Sequence, residues 1–146
     1  MPPFENGYEP TMRILVIDDD PEMGRLIKKF LSREDYRVET ALNGSDGLLL
    51  IQQKAFDLVI SDLKMPGMSG FELIRKARAV APDTPFILIT AFGHVKTYID
   101  AMDAGVFEYI NKPGVFEYIN KPIKLKDLRL IVRKALQVDA LECKIQ

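Results

Sequence analysis

The chain has 146 residues, 47% of them hydrophobic, which suits a single domain with its own core and excludes a disordered tail or a multidomain enzyme. With 20 Lys and Arg against 21 Asp and Glu the net charge is -1, so there is neither a global basic field for nucleic acid nor an acidic excess typical of disorder. The single cysteine, Cys143, cannot form an internal disulfide and reads as a plain surface thiol of a reducing, cytoplasmic compartment. No apolar run approaches the roughly 20 residues that cross a bilayer, and the N-terminus lacks a basic n-region and an apolar h-region. No membrane association or export is therefore expected.

Residues 1–11 read as a flexible leader, residues 12–138 as one domain, and residues 139–146 as a C-terminal tail. From Met12 onward short aliphatic runs alternate with longer stretches of helical spacing, the pattern of a parallel sheet covered by helices. Ile14-Leu15-Val16-Ile17 is the first run and Val38 to Ala41 a weaker second. Leu58-Val59-Ile60 and Phe86-Ile87-Leu88-Ile89 follow, apolar without alternation, as strands buried on both faces are. Met23, Leu26, Ile27, Phe30 and Leu31 form the stripe of the first helix. Further helices are expected over Gly44 to Lys54, Ser69 to Val80 and His94 to Ala104, with Ser69 as a cap. The last helix carries Leu125, Leu128, Ile131, Val132, Ala135 and Leu136. The whole is a (βα)₅ doubly wound parallel sheet.

Ligands of open parallel sheets bind beyond the carboxyl ends of the strands. Those ends read Asp18-Asp19-Asp20, Ser61-Asp62, Thr90-Ala91 and, after strand five, Asn-Lys-Pro. Carboxylates gathered at strand ends repel one another, and a hard divalent cation such as Mg²⁺ relieves that repulsion. A lysine and a threonine hydroxyl opposite the cation would bind the remaining oxygens of a phosphoryl group. Asp62, the lone acid at the end of a central strand, is the candidate nucleophile. Asp20, followed by Pro21, is expected to cap the first helix. There is no Gly-x-Gly-x-x-Gly or Walker loop, which disfavours a nucleotide site.

ILVIDDD, DLVISDLKMPGMSGFELI, ILITA and YINKP stand in an order and spacing that closely resemble the receiver domain of two-component response regulators. The resemblance implies the flavodoxin-like receiver fold with strand order 2-1-3-4-5. It makes Asp62 the phosphoacceptor, and has Asp18, Asp19, Asp62 and the backbone carbonyl of Lys64 hold Mg²⁺. It also implies that Thr90 moves onto the phosphoryl group, that Ala91 offers its backbone N–H, and that a tyrosine three residues before the lysine is the aromatic switch. The implied partner is a sensor histidine kinase or a phosphotransfer protein. The implied output is a change on the face formed by the helix over 94–104, strand five and the last helix. Such a chain is a phosphoacceptor that assists its own phosphotransfer and dephosphorylation, not a turnover enzyme. DLKMPGMSG and TAFGHVKTYIDAMDAG look most like receivers of enhancer-binding transcriptional activators. No DNA-binding segment is present, so no direct nucleic-acid contact is expected.

Residues 105–113 read GVFEYINKP and residues 114–122 repeat it without change. A receiver has one fifth strand, so Lys121 competes with Lys112, and Tyr118 with Tyr109. Spacing favours Lys112, which stands 22 residues after Thr90. Context favours Lys121, because Pro122-Ile123 leads directly into the last helix whereas Pro113 is followed by Gly114. The second copy is expected in the sheet. The spare copy, rich in apolar β-formers, makes self-association through the strand-five edge an expectation as well.

His94 is expected to be a solvent-facing side chain, and Met65, Met68 and Phe92, apolar residues near the acceptor, read equally as a partner surface or as loop packing. A phosphorylation-independent, receiver-like interaction module is the alternative function, which a Mg²⁺ titration would separate from the switch. A phosphatase of related fold would carry a second acid two residues after the nucleophile, where Lys64 stands.

Overall fold

The computed structural model describes residues 11–90 and 115–145. Five strands, β1 (Arg13–Ile17), β2 (Arg37–Ala41), β3 (Leu58–Asp62), β4 (Phe86–Thr90) and β5 (Val115–Asn120), pair in parallel in the order β2-β1-β3-β4-β5. The unbroken apolar runs occupy the centre, where both faces of the sheet are covered. Ile14, Val16, Ile60 and Ile87 point to one side, and Leu15, Ile17, Val59 and Leu88 to the other. The weaker run falls on the edge, where only Val38 and Ala41 of β2 are buried.

Four helices are described: α1 (Pro21–Ser32), α2 (Gly44–Gln53), α3 (Gly70–Ala77) and α4 (Leu125–Ile145). Helices α1 and α4 cover one face through Ile27, Leu31, Leu128, Val132 and Ala135. Helices α2 and α3 cover the other through Ile51, Phe71, Leu73, Ile74 and Ala77. Three starts are capped by side chains: Asp20 accepts from the Glu22 N–H, Asn43 from the Asp46 N–H and Ser69 from the Glu72 N–H. Each satisfies an amide that the first turn leaves without a partner, a contribution of about 1 kcal/mol. No described helix is long and apolar enough to cross a membrane.

Several boundaries and orientations differ from the sequence-based expectation. Helix α3 spans Gly70–Ala77 and ends in a tight turn through Arg78, short of Val80. Helix α4 runs on to Ile145, so the segment expected as a tail is helical almost to its end. Leu26 is 46% exposed, because α1 is seated through Gly24, Ile27 and Leu31, and the residue before Ile27 turns about 100° away from that contact. Met65 is buried in the core cluster with Leu63 and Phe71, and Met68 packs against that cluster, so of the two readings left open for them loop packing holds and the partner surface does not. The helix expected over His94 to Ala104, the first copy of the repeat, and Phe92 lie outside the described residues. The fifth strand is built from the second copy and forms an edge of the sheet.

Candidate functional site

Because β1 and β3 are neighbours, with Ile17 in register with Ser61, the residues that follow them emerge side by side at the carboxyl edge. Asp18 and Asp62 are 2% and 4% exposed, while Asp19 is exposed, and one carboxylate oxygen from each of the three lies within 4.8 Å of the others. Asp18 is held at two points: its N–H donates to the Ala41 carbonyl at 3.1 Å, and its Oδ1 accepts from the Asp20 N–H at 2.9 Å. The same turn brings the Asp20 carboxylate to the Glu22 N–H at 3.0 Å, the capping role expected of it. Asp18 Oδ2 is buried with no hydrogen-bond partner among the described residues.

From the opposite side, Lys121 Nζ donates to Asp62 Oδ2 at 3.2 Å. Lys121 follows β5 directly, and its half-buried side chain reaches past β4 to the end of β3. Burial pushes the Asp62 carboxyl above its ordinary value; the Lys121 charge and hydrogen bond pull it down, and Asp19 pushes it up again. Asp18 is raised in the same way, first by burial and further by the charge of Asp62, against the lowering effect of the Asp20 N–H and Lys121. Among the described residues one ammonium group faces three carboxylates, which it does not compensate.

An orphaned buried oxygen, a surplus of negative charge and an all-oxygen donor set fit a hard divalent cation of the Mg²⁺ class. Lys64, whose carbonyl is the remaining expected ligand, lies two residues after Asp62 in a loop closed by the Gly70 N–H on the Leu63 carbonyl at 2.8 Å. Gly67 turns that loop with a φ of +84°, which a residue without Cβ adopts freely. At Gly70 the fit is close, since a Cβ there would lie 3.1 Å from both the Asp62 carbonyl oxygen and Leu63 Cα.

The other expected site residues are less completely placed. Thr90 ends β4 in register with Asn120, and Tyr118 lies on β5 in register with Leu88. Ala91, His94, Tyr109 and Lys112 lie outside the described residues. Two residues touching the site had no role in the sequence reading. Ser61 donates its hydroxyl to the Asp62 carbonyl at 2.9 Å, and Gly70 packs against that carbonyl. The available signal for Ser61 was a single polar residue in an otherwise apolar run.

The Escherichia coli transcriptional regulatory protein GlrR is 39% identical over 100 residues, which are 68% of this chain and 22% of GlrR. The regulatory protein AtoC of the same organism is 31% identical over 134 residues, 92% of this chain and 27% of AtoC. This chain therefore spans about a quarter of the length of those relatives. The crystal structure of a CheY-like response regulator receiver domain protein from Methanospirillum hungatei superposes with a TM-score of 0.78 at 30% identity, covering 91% of this chain and 99% of that one. The family model for the response regulator receiver domain matches residues 14–117, and the chain belongs to that family.

Proposed function

We propose that this chain is a phosphorylation-activated switch in which Asp62 accepts a phosphoryl group from a sensor histidine kinase or a phosphotransfer protein. The observation that carries this reading is the buried Asp18 and Asp62 pair, open on one side to Asp19 and bonded on the other to Lys121. The residues that would hold Mg²⁺ are Asp18, Asp19, Asp62 and the carbonyl of Lys64; bound there, the cation would neutralise charge on the phosphoryl oxygens. An Asp62 carboxylate oxygen attacks phosphorus, the new O–P bond forming as the N–P bond to the donor imidazole breaks with its electron pair left on nitrogen. Lys121 holds Asp62 by its ammonium before transfer and faces the incoming charge during it.

Thr90, at the end of the neighbouring strand, and the N–H of Ala91 then bind the transferred group, and the inward movement of Thr90 frees room for Tyr118. The chain acts as a phosphoacceptor that also assists the hydrolysis that resets it. The cytoplasm is the compartment this donor class implies, and a longer transcriptional regulator is the setting its relatives suggest. Strand β5 is an edge strand, and a second copy of its apolar sequence in the same chain favours self-association through that edge. Light scattering tests this part: at high concentration the full chain should have a mass above that of its monomer and the chain lacking residues 105–113 the mass of its own monomer, and the same oligomeric state for both would refute it.

Intact-mass measurement with acetyl phosphate and Mg²⁺ tests the main reading. One phosphoryl group should be added, none without the metal, and none in Asp62→Asn. Full labelling of Asp62→Asn would remove Asp62 from its role, and metal-independent partner binding without any labelling would favour the interaction module.

A further inference from the structure

Strand β3 reads Leu58-Val59-Ile60-Ser61-Asp62, and every residue in it is buried. Ser61 has no exposed surface and sits in register between Ile17 of β1 and Leu88 of β4, both core residues. Among the described residues, the buried polar or charged side chains are Asp18, Ser61 and Asp62. Burying a hydroxyl in such surroundings is unfavourable unless it is bonded, and a valine would fill the slot without that cost. The bond that offsets it goes to the acceptor residue itself, from Ser61 Oγ to the Asp62 carbonyl at 2.9 Å.

That carbonyl begins a peptide unit held on every side. Its other end, the Leu63 N–H, donates to the Ile89 carbonyl at 2.8 Å. The next carbonyl, of Leu63, accepts from the Gly70 N–H at 2.8 Å, and Gly70 lies close enough to the Asp62 oxygen that an added Cβ would come within 3.1 Å of it. Ile89 and Gly70 fix this unit from β4 and α3, and Ser61 fixes it from within β3. The Asp62 side chain projects from the Cα at the head of that unit, so the direction of its carboxylate follows the orientation of the peptide plane. In-line attack tolerates little misdirection, and a displacement of about 1 Å costs on the order of a hundredfold in rate.

We propose that Ser61 is a positioning residue that aims the Asp62 carboxylate by holding its backbone carbonyl. The inference rests on the reading of Asp62 as phosphoacceptor. It is tested on the full chain with Ser61→Ala and with the pair Ser61→Thr and Ser61→Val, which have nearly the same shape and differ by the hydroxyl. Labelling by acetyl phosphate with Mg²⁺ is followed by intact mass across donor concentrations. Ser61→Ala and Ser61→Val should lower the maximal rate roughly threefold to tenfold and leave the half-saturating donor concentration unchanged, the effect of misdirecting the carboxylate by less than about 1 Å. Ser61→Thr should restore the rate. In metal-free protein the Leu63 amide should exchange faster in the Ala and Val variants and at the native rate in Thr.

Equal rates for Thr and Val would overturn the proposal, as would native labelling by Ser61→Ala. Ser61→Ala only removes atoms, so the comparison with wild type stands even where the branched variants do not fold. Failure of the wild-type chain to label at all would be a different result, removing the functional reading and this inference with it.

Discussion

Replacing Asp18 by Asn removes one charge from the acid cluster and almost nothing else. The retained Oδ1 still accepts from the Asp20 N–H, and an amide nitrogen takes the place of the buried, partnerless Oδ2. Two unit charges within 4.8 Å repel by at least ~3.5 kcal/mol at an effective dielectric of about 20. Lys121 offsets part of this, but it lies on Asp62, not on Asp18. Asp18→Asn should therefore stabilise the metal-free fold by about 2 kcal/mol near neutral pH. The sign with pH follows from the direction of the shift. In the fold Asp18 titrates above the ordinary carboxylate value of 3.8, so the wild-type deficit is absent below that value and is fully developed once the pH has risen through the raised one. Urea unfolding in chelator should show the advantage near pH 7 and its disappearance near pH 4. Millimolar Mg²⁺ should stabilise the wild type and not the variant, narrowing or reversing the gap. An Asp18→Asn variant less stable than wild type in chelator at neutral pH would refute the reasoning, because it would mean that the fold satisfies the carboxylate.

Two further outcomes are expected. Lys121→Ala should slow labelling by acetyl phosphate by about tenfold or more through loss of the charge-assisted contact with Asp62, while Lys112→Ala should leave the rate within about twofold of wild type; the opposite pattern would assign the lysine to the first copy. Asp35 has a φ of 69° in the turn after α1, so Asp35→Gly should stabilise the chain by about 0.5 to 1 kcal/mol in urea unfolding, and a loss of stability would mean that its side chain matters more than its backbone.

The acid cluster was legible because its members sit at strand ends, and the ends of apolar runs are among the sharpest features of a sequence. Asp18, Asp19 and Asp62 needed only the assumption that strands one and three are neighbours. What escaped depended on the precise seating of one element on another. Leu26 fits the helical stripe as well as Ile27 does, and only the use of Gly24 on the buried face rolls α1 so that Leu26 turns outward. Met65 stands in a polar-looking loop, yet the bond between the Gly70 N–H and the Leu63 carbonyl draws that loop back over the core. The bond from Ser61 to the next carbonyl leaves no periodic signature at all. Helix α4 continues past residue 138 because nothing from there to Ile145 is a helix breaker, a point hidden by an apolar stripe that turns polar.

The two copies of GVFEYINKP are identical, so β4 meets the same side chains and the same backbone whichever copy it pairs with. The slot is thus degenerate in every interaction made inside it, and the choice falls to what lies outside. Moving copy one into the slot would shorten the crossover after Thr90 by nine residues and lengthen the link to α4 by the same nine. Loop closure responds weakly to such an exchange, about 0.6 kcal/mol for each doubling of length. The larger bias comes from Ile123, which packs against the core beside Leu125 when Pro122 follows the strand directly, whereas the corresponding residue after Pro113 is Gly114. One isoleucine just beyond the repeat therefore acts as the register mark of the whole strand.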